Sequence, residues 1–269
     1  MIMDKKQIIS TLLTPVLLLL ASCRQNEEQV LTFDTFTIDK TVALSDEERS
    51  PQCSMSLTLA YATEANGHRA EVLNNYVIKR LFDKQDISMQ TAAEEFIKQY
   101  TTNYKSDMLP LYNQDRADTT RRAWFEYHYI ITTETRPGSK GTTAYLATVD
   151  YYEGGAHGIN QLLTMNFETE TGQKLELKDI FTDGYEKPLT TILCNALQQK
   201  TGAKSLAELK NKGYLLSMEM FPSENFILDE ETITFVYNPY EIAPYAMGTT
   251  ELTIPYNDIQ HLLKNSFNY

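Results

Sequence analysis

Cysteine is scarce, tryptophan nearly absent and positive charge outnumbered: 269 residues include three Cys, one Trp, and 24 Lys plus Arg against 36 Asp plus Glu. Three cysteines cannot build a disulfide scaffold, so the chain has to fold on an apolar core. The formal charge of −12 offers no counterion release to a phosphate backbone, and no basic cluster exceeds Arg121-Arg122, which excludes nucleic acid as a partner. The four histidines, at 68, 128, 157 and 261, are too dispersed for a sequence-local zinc site. Gly-x-Ser-x-Gly elbows, P-loops and Gly-x-Gly-x-x-Gly turns are missing as well, so no catalytic residue, metal or cofactor is assigned. Thr32-Phe33-Asp34 matches the start of a polysaccharide-deacetylase metal motif, but Thr35 replaces its second acid.

Long apolar runs are also rare, and the single one is informative. Lys5 and Lys6 precede the uncharged stretch Ile8 to Ala21, which ends in Leu20-Ala21-Ser22-Cys23. As a helix this stretch reaches only ~21 Å against a hydrocarbon core of ~30 Å, and Pro15 interrupts it. Residues 1–22 therefore read as a signal peptide. Small residues directly before a Cys resemble the lipobox of signal peptidase II, which implies that Cys23 becomes the lipid-modified first residue of a cell-envelope lipoprotein. The alternative is an ordinary signal peptide in which Cys23 is incidental. A lipidated chain would meet the membrane through its anchor alone, at the periplasmic face or the cell surface. Removing residues 1–22 leaves 22 basic against 35 acidic residues, a charge of −13, and Arg24 to Val30 then forms a polar, acidic tether. Outside the cytoplasm disulfides persist, so Cys53 and Cys194 are either a pair or two separate buried thiols.

What is present is a globular composition, 42% hydrophobic and 11% aromatic. Leu31 to Leu44 and Met55 to Tyr61 alternate as half-buried strands. Arg69 to Phe82 and about Met89 to Tyr104 carry apolar residues at intervals of three and four, the pattern of amphipathic helices, with Asp86 or Ser88 placed to cap the second. Trp124 to Thr135 and Thr142 to Tyr152 flank Pro137-Gly138-Ser139-Lys140-Gly141 as a long hairpin. Further strands are expected at Leu162 to Glu168, Lys174 to Leu177, Asn225 to Leu228, Thr232 to Tyr237 and Glu251 to Pro255. Helices are expected at about Pro188 to Lys200, Leu206 to Lys210 and Asp258 to Asn265, with Gly202 past the end of the first of these. This order predicts an α+β fold of antiparallel or mixed sheets with helices packed on one face, in two subdomains.

Two segments carry chemistry. Asp150-Tyr151-Tyr152-Glu153-Gly154-Gly155-Ala156-His157-Gly158 leads a strand into a glycine-rich turn, where the glycines permit positive φ. His157 either faces a partner or is tied to the loop through Asp150, Glu153 or a carbonyl. Asn238-Pro239-Tyr240-Glu241-Ile242-Ala243-Pro244-Tyr245-Ala246-Met247-Gly248 is stiffened by two prolines. Its tyrosines either offer apolar area and a hydroxyl at low entropic cost or fold back onto the core.

These two segments, with Asp179-Ile180-Phe181 between them and Thr253-Ile254-Pro255-Tyr256 after them, resemble a family of extracytoplasmic domains of unknown function. It occurs in the lysozyme-binding anti-sigma factor RsiV and beside the catalytic domain of the deacetylase PdaC. The resemblance covers Tyr145 to Leu263 and weakens before it. It implies a division into residues 23–44 (lipidated Cys, tether and first strand), 45–144 (an N-terminal α+β domain) and 145–269 (the RsiV-like domain). Neither a cytoplasmic sigma-binding segment nor a deacetylase domain is expected here, so what the resemblance implies is a binding role. The leading expectation is a non-catalytic module for a basic, lysozyme-like protein, with His157, Tyr240, Glu241, Pro244 and Tyr245 at the interface. An envelope glycan module that stacks on Tyr151, Tyr152, Tyr240 and Tyr245 is the alternative, and a hydrolase built on His157 with Asp150 or Glu153 ranks third.

Overall fold

The computed structural model describes residues 31–115 and 117–267. The expected signal peptide, Cys23 and the tether lie outside them. Strands β1 (Phe33–Ala43) and β2 (Gln52–Ala62) pair antiparallel over their full length. Cys53, Met55, Leu57 and Leu59 of β2 are buried on one face, while Ser54, Ser56 and Thr58 occupy the other. Next comes β3 (Tyr127–Pro137), parallel to β2, then β4 (Thr142–Glu153), β5 (Ile159–Glu168) and the two-residue β6 (Lys174–Leu175), each antiparallel to its predecessor. A parallel step needs a crossover connection. Here α1 (His68–Phe82) and α2 (Met89–Asp115) supply it. Their apolar stripes, including Leu73, Val77, Ala92, Ala93 and Ile97, share a core with Leu57, Ile131, Tyr145, Val149 and Phe167 of the sheet. Ser88 caps α2, its Oγ accepting from the Thr91 N–H at 3.1 Å. The helix continues past its expected end near Tyr104 and through Pro110, and Tyr112 still reaches the core, its ring 5.4 Å from Phe125.

The second half builds a three-stranded antiparallel sheet from β7 (Phe226–Leu228), β8 (Thr232–Tyr237) and β9 (Thr250–Pro255). Around it lie α3 (Leu177–Ile180), α4 (Glu186–Thr201), α5 (Leu206–Asn211) and α6 (Tyr256–Ile259). Leu189, Leu193 and Leu197 of α4 share a core with Phe226, Ile233, Phe235, Tyr237 and Ile254. On the sheet's other face, Ile227 and Val236 meet Ala144 and Leu146 of β4 and Leu162 of β5. The order of layers is thus α1 and α2, the six-stranded sheet, the three-stranded sheet, and α4. This is the expected α+β architecture, one mixed and one antiparallel sheet, each with helices on one face.

The expected border between residues 144 and 145 does not hold, because it falls inside β4. β4 and β5 zip onto β3 and bury Tyr145, Val149, Met165 and Phe167 in the first core, so the change of core comes between Glu168 and Leu177. Cys53 is buried in the first core, while Cys194 packs against the second, and both are free thiols, which corrects the pairing alternative. Among the described residues no helix is long and apolar enough to cross a membrane.

Three asparagines join the halves: Asn166 of β5 donates to the Phe226 carbonyl at 2.7 Å and accepts from the Leu228 N–H at 3.0 Å, and Asn225 and Asn238 reach back to β5. β6 covers the outer edge of β5 only at Asn166 and Phe167, which leaves the backbone groups of Leu162 and Thr164 without a strand partner. The Asn225 Oδ1 accepts from the Thr164 N–H at 2.6 Å and its Nδ2 donates to the Leu162 carbonyl at 2.7 Å. Asn238 accepts from the Leu162 N–H at 2.8 Å and donates to the same carbonyl at 3.0 Å. Side-chain amides thereby replace a missing strand.

Candidate functional site

The β4–β5 turn owes its shape to glycine for two different reasons. Gly154 and Gly155 have φ of +80° and +89°, where a side chain is strained. Gly158 does not take a positive φ; a Cβ there would sit 2.7 Å from the Tyr151 carbonyl oxygen, so close backbone approach is what requires it. The Tyr152 hydroxyl ties the turn down by donating to the Gly155 carbonyl at 2.9 Å. The turn leaves the His157 side chain in solvent.

The loop after β8 arrives at the same place. Asn238 is buried at its start, its N–H donating to the Glu241 carboxylate at 2.8 Å, and the Tyr240 N–H donates to the Ala243 carbonyl at 2.8 Å. Within this tight turn Tyr240 is held at φ +73°, although it is not glycine and its residue is 55% exposed. The His157 ring stacks on Tyr245, with centroids 3.8 Å apart and planes 12° from parallel. Tyr240 lies 6.0 Å from Tyr245, and its hydroxyl is 3.3 Å from the His157 Nε2. Nδ1 lies 2.9 Å from the Gly158 carbonyl, so a proton there leaves Nε2 to accept from Tyr240. The two segments singled out in the sequence therefore form one exposed cluster of three rings.

Beside it lies an apolar recess of about 250 Å³ bordered by Leu216, Met218, Tyr240 and Pro244. Leu216 and Met218 are exposed on an irregular stretch between α5 and β7, anchored by the Leu215 N–H donating to the Ile242 carbonyl at 2.8 Å. Met247, also exposed, approaches this rim near Gly213. Leu216 and Met218 were missed in the sequence, whereas Met247 belongs to the loop already singled out. The available signal was apolar side chains in a segment with neither helical nor strand period.

Other sequence candidates are placed elsewhere. Glu241 turns away from the rings and lines a separate cleft; burial raises its carboxyl above the ordinary glutamate value, with the Asn238 N–H and Arg80 opposing. Asp150 pairs with His128 at 2.9 Å and accepts from the Asn160 amide at 3.2 Å, while Glu153 accepts from the Tyr100 hydroxyl at 2.8 Å. The carboxylates paired with His157 in the hydrolase reading are thus committed to other partners. Hairpin register could have shown this, since His128 opposes Tyr152 and lies diagonal to Asp150. The four tyrosines of the glycan reading share no platform: Tyr151 stacks on Tyr129 against the helical core, and Tyr152 beside His128 on the opposite face. No group of three or more His, Cys, Asp or Glu suited to a metal occurs among the described residues.

Residues 178–257, within the second core, match the family described as protein of unknown function DUF3298. Among curated proteins the chain is similar to the peptidoglycan-N-acetylmuramic acid deacetylase PdaC of Bacillus subtilis, 24% identical over 187 residues. That match covers 69% of this chain and 37% of the relative, so it spans little more than a third of the relative's length. A DUF3298 family member from Bacteroides fragilis has a similar structure, with a TM-score of 0.80, 31% identity, and coverage of 89% of this chain and 96% of the other. A DUF3298 family protein from Pseudomonas aeruginosa, at 16% identity, a TM-score of 0.58 and coverage of 88% and 97%, shares the fold.

Proposed function

The chain belongs to the DUF3298 family, and from that premise we propose that it is a non-catalytic binding module of the cell envelope, lipid-anchored at Cys23, that docks a basic, lysozyme-like protein. The docking surface is the His157, Tyr240 and Tyr245 cluster with the recess beside it. One observation carries this reading: Tyr240 is exposed and strained at once. A left-handed conformation costs an ordinary residue ~1–2 kcal/mol, and a ring that only capped the core would have no reason to be held that way in solvent. Pro239 and Pro244 stiffen the loop, so little entropy remains to be lost on binding. The recess would receive an apolar anchor, and the acidic chain would speed the approach of a cationic partner more than it would tighten the complex.

Calorimetry against lysozyme at low and high salt tests the proposal. Binding that weakens with salt, and that Tyr240→Ala reduces by ~2 kcal/mol or more, is the expected result. Absence of heat at both salt concentrations would sink the lysozyme version. Metabolic labelling with palmitate, lost in Cys23→Ala, tests the anchor separately.

A further inference from the structure

Glu241 leads to a second site. We propose that the cleft walled by Tyr76, Arg80 and Lys174 on one side and Phe221, Asn225 and Glu241 on the other binds an acidic saccharide. The cleft measures about 650 Å³, within the ~300–1,000 Å³ range of small-ligand sites. It opens where the first core's α1 and β6 face the stretch leading into β7.

Its walls combine aromatic surface with planar polar groups. Tyr76 packs toward Phe167 at 6.2 Å and Phe221 sets its ring against Tyr237 at 5.5 Å, and each residue still leaves 39% of its surface exposed. Half-anchored rings of this kind offer apolar area at little entropic cost, which suits a sugar ring with its axial C–H groups.

Charge selects the acid. In a chain of net charge −12, this cleft gathers Lys79, Arg80 and Lys174. Its two carboxylates each engage a backbone amide: Glu224 accepts from the Leu177 N–H at 3.1 Å, and Glu241 from the Asn238 N–H at 2.8 Å. Lys79 pairs with Asp83, and Lys174 lies 3.8 Å from Glu176. Arg80 alone among these cations has neither an ion pair nor a side-chain hydrogen bond within the described residues. Its planar fork matches a carboxylate in bidentate fashion. Across the cleft the remaining carboxylate oxygen of Glu241 accepts from sugar hydroxyls. This cleft shares no lining residue with the recess beside Tyr240.

Isothermal calorimetry of the full chain with trigalacturonate and with neutral cellotriose is the test. The uronate should bind at least tenfold more tightly, and Arg80→Met should erase that preference while leaving the thermal midpoint unchanged. Tyr76→Ala should weaken both sugars. Tyr240→Ala should leave saccharide binding unchanged, so this proposal and the protein-docking one can each fail alone. Failure of both sugars to bind, equal binding of the two, unaltered binding by Arg80→Met, or equally tight binding of hexaglutamate would each overturn it.

Discussion

Tyr240 shows how much one residue carries. A φ of +73° is tolerated by Asn at little cost and by Tyr only under constraint. Tyr240→Asn should therefore keep the thermal midpoint or raise it slightly while weakening partner binding as Tyr240→Ala does, whereas a core-capping tyrosine would lose stability by ~3 kcal/mol. Cys53 is the opposite case. Burial, with Glu153 adding to it, pushes its thiol up to about 11. Because the thiolate is the reactive form, iodoacetamide at pH 8 should label Cys53 only after denaturation, as mass spectrometry would read. Glu241 gives a pH signature. Its folded-state pKa is raised, by burial first, so the folded protein holds this proton where the unfolded chain has lost it. Stability should then fall as pH rises from the ordinary glutamate value through the raised one, and Glu241→Gln should remove that part of the slope in urea titrations at pH 4 to 7.

At the scale of elements, strands and helices were legible because their periods are local. β2 buries every second residue and α1 every third or fourth, whatever they face. The end of α2 was not: the expected end near Tyr104 falls short, and only the contact of Tyr112 with Phe125 shows why the helix continues through Pro110. Nor was the edge of β5, where Asn225 and Asn238 stand in for a strand. Asparagine in a loop reads as a turn former. Asn225→Ala strands the Thr164 N–H and half the bonding of the Leu162 carbonyl, a loss of ~1–3 kcal/mol that chemical denaturation would measure. Asn225→Asp keeps the acceptor and loses the donor, and should recover only part of it.

For the whole molecule, the two sheets stack through a small apolar layer of their own. Val236 is fully buried between them, against Ala144 and Leu146. Val236→Ala should cost on the order of 2 kcal/mol and separate the unfolding of the two cores into resolvable steps in calorimetry. The fold class, the two apolar cores and the two exceptional loops were determined by the sequence itself, because patterning and the steric demands of glycine and proline act within a few residues. Placing the border inside β4 was the natural error, since no local signal says which sheet a strand will join. Tertiary structure alone decided that His157 meets Tyr245 and Tyr240 and that Glu241 faces Arg80 across a cleft. Those partners lie more than eighty residues apart along the chain, and only the stacking of the two halves brings them together.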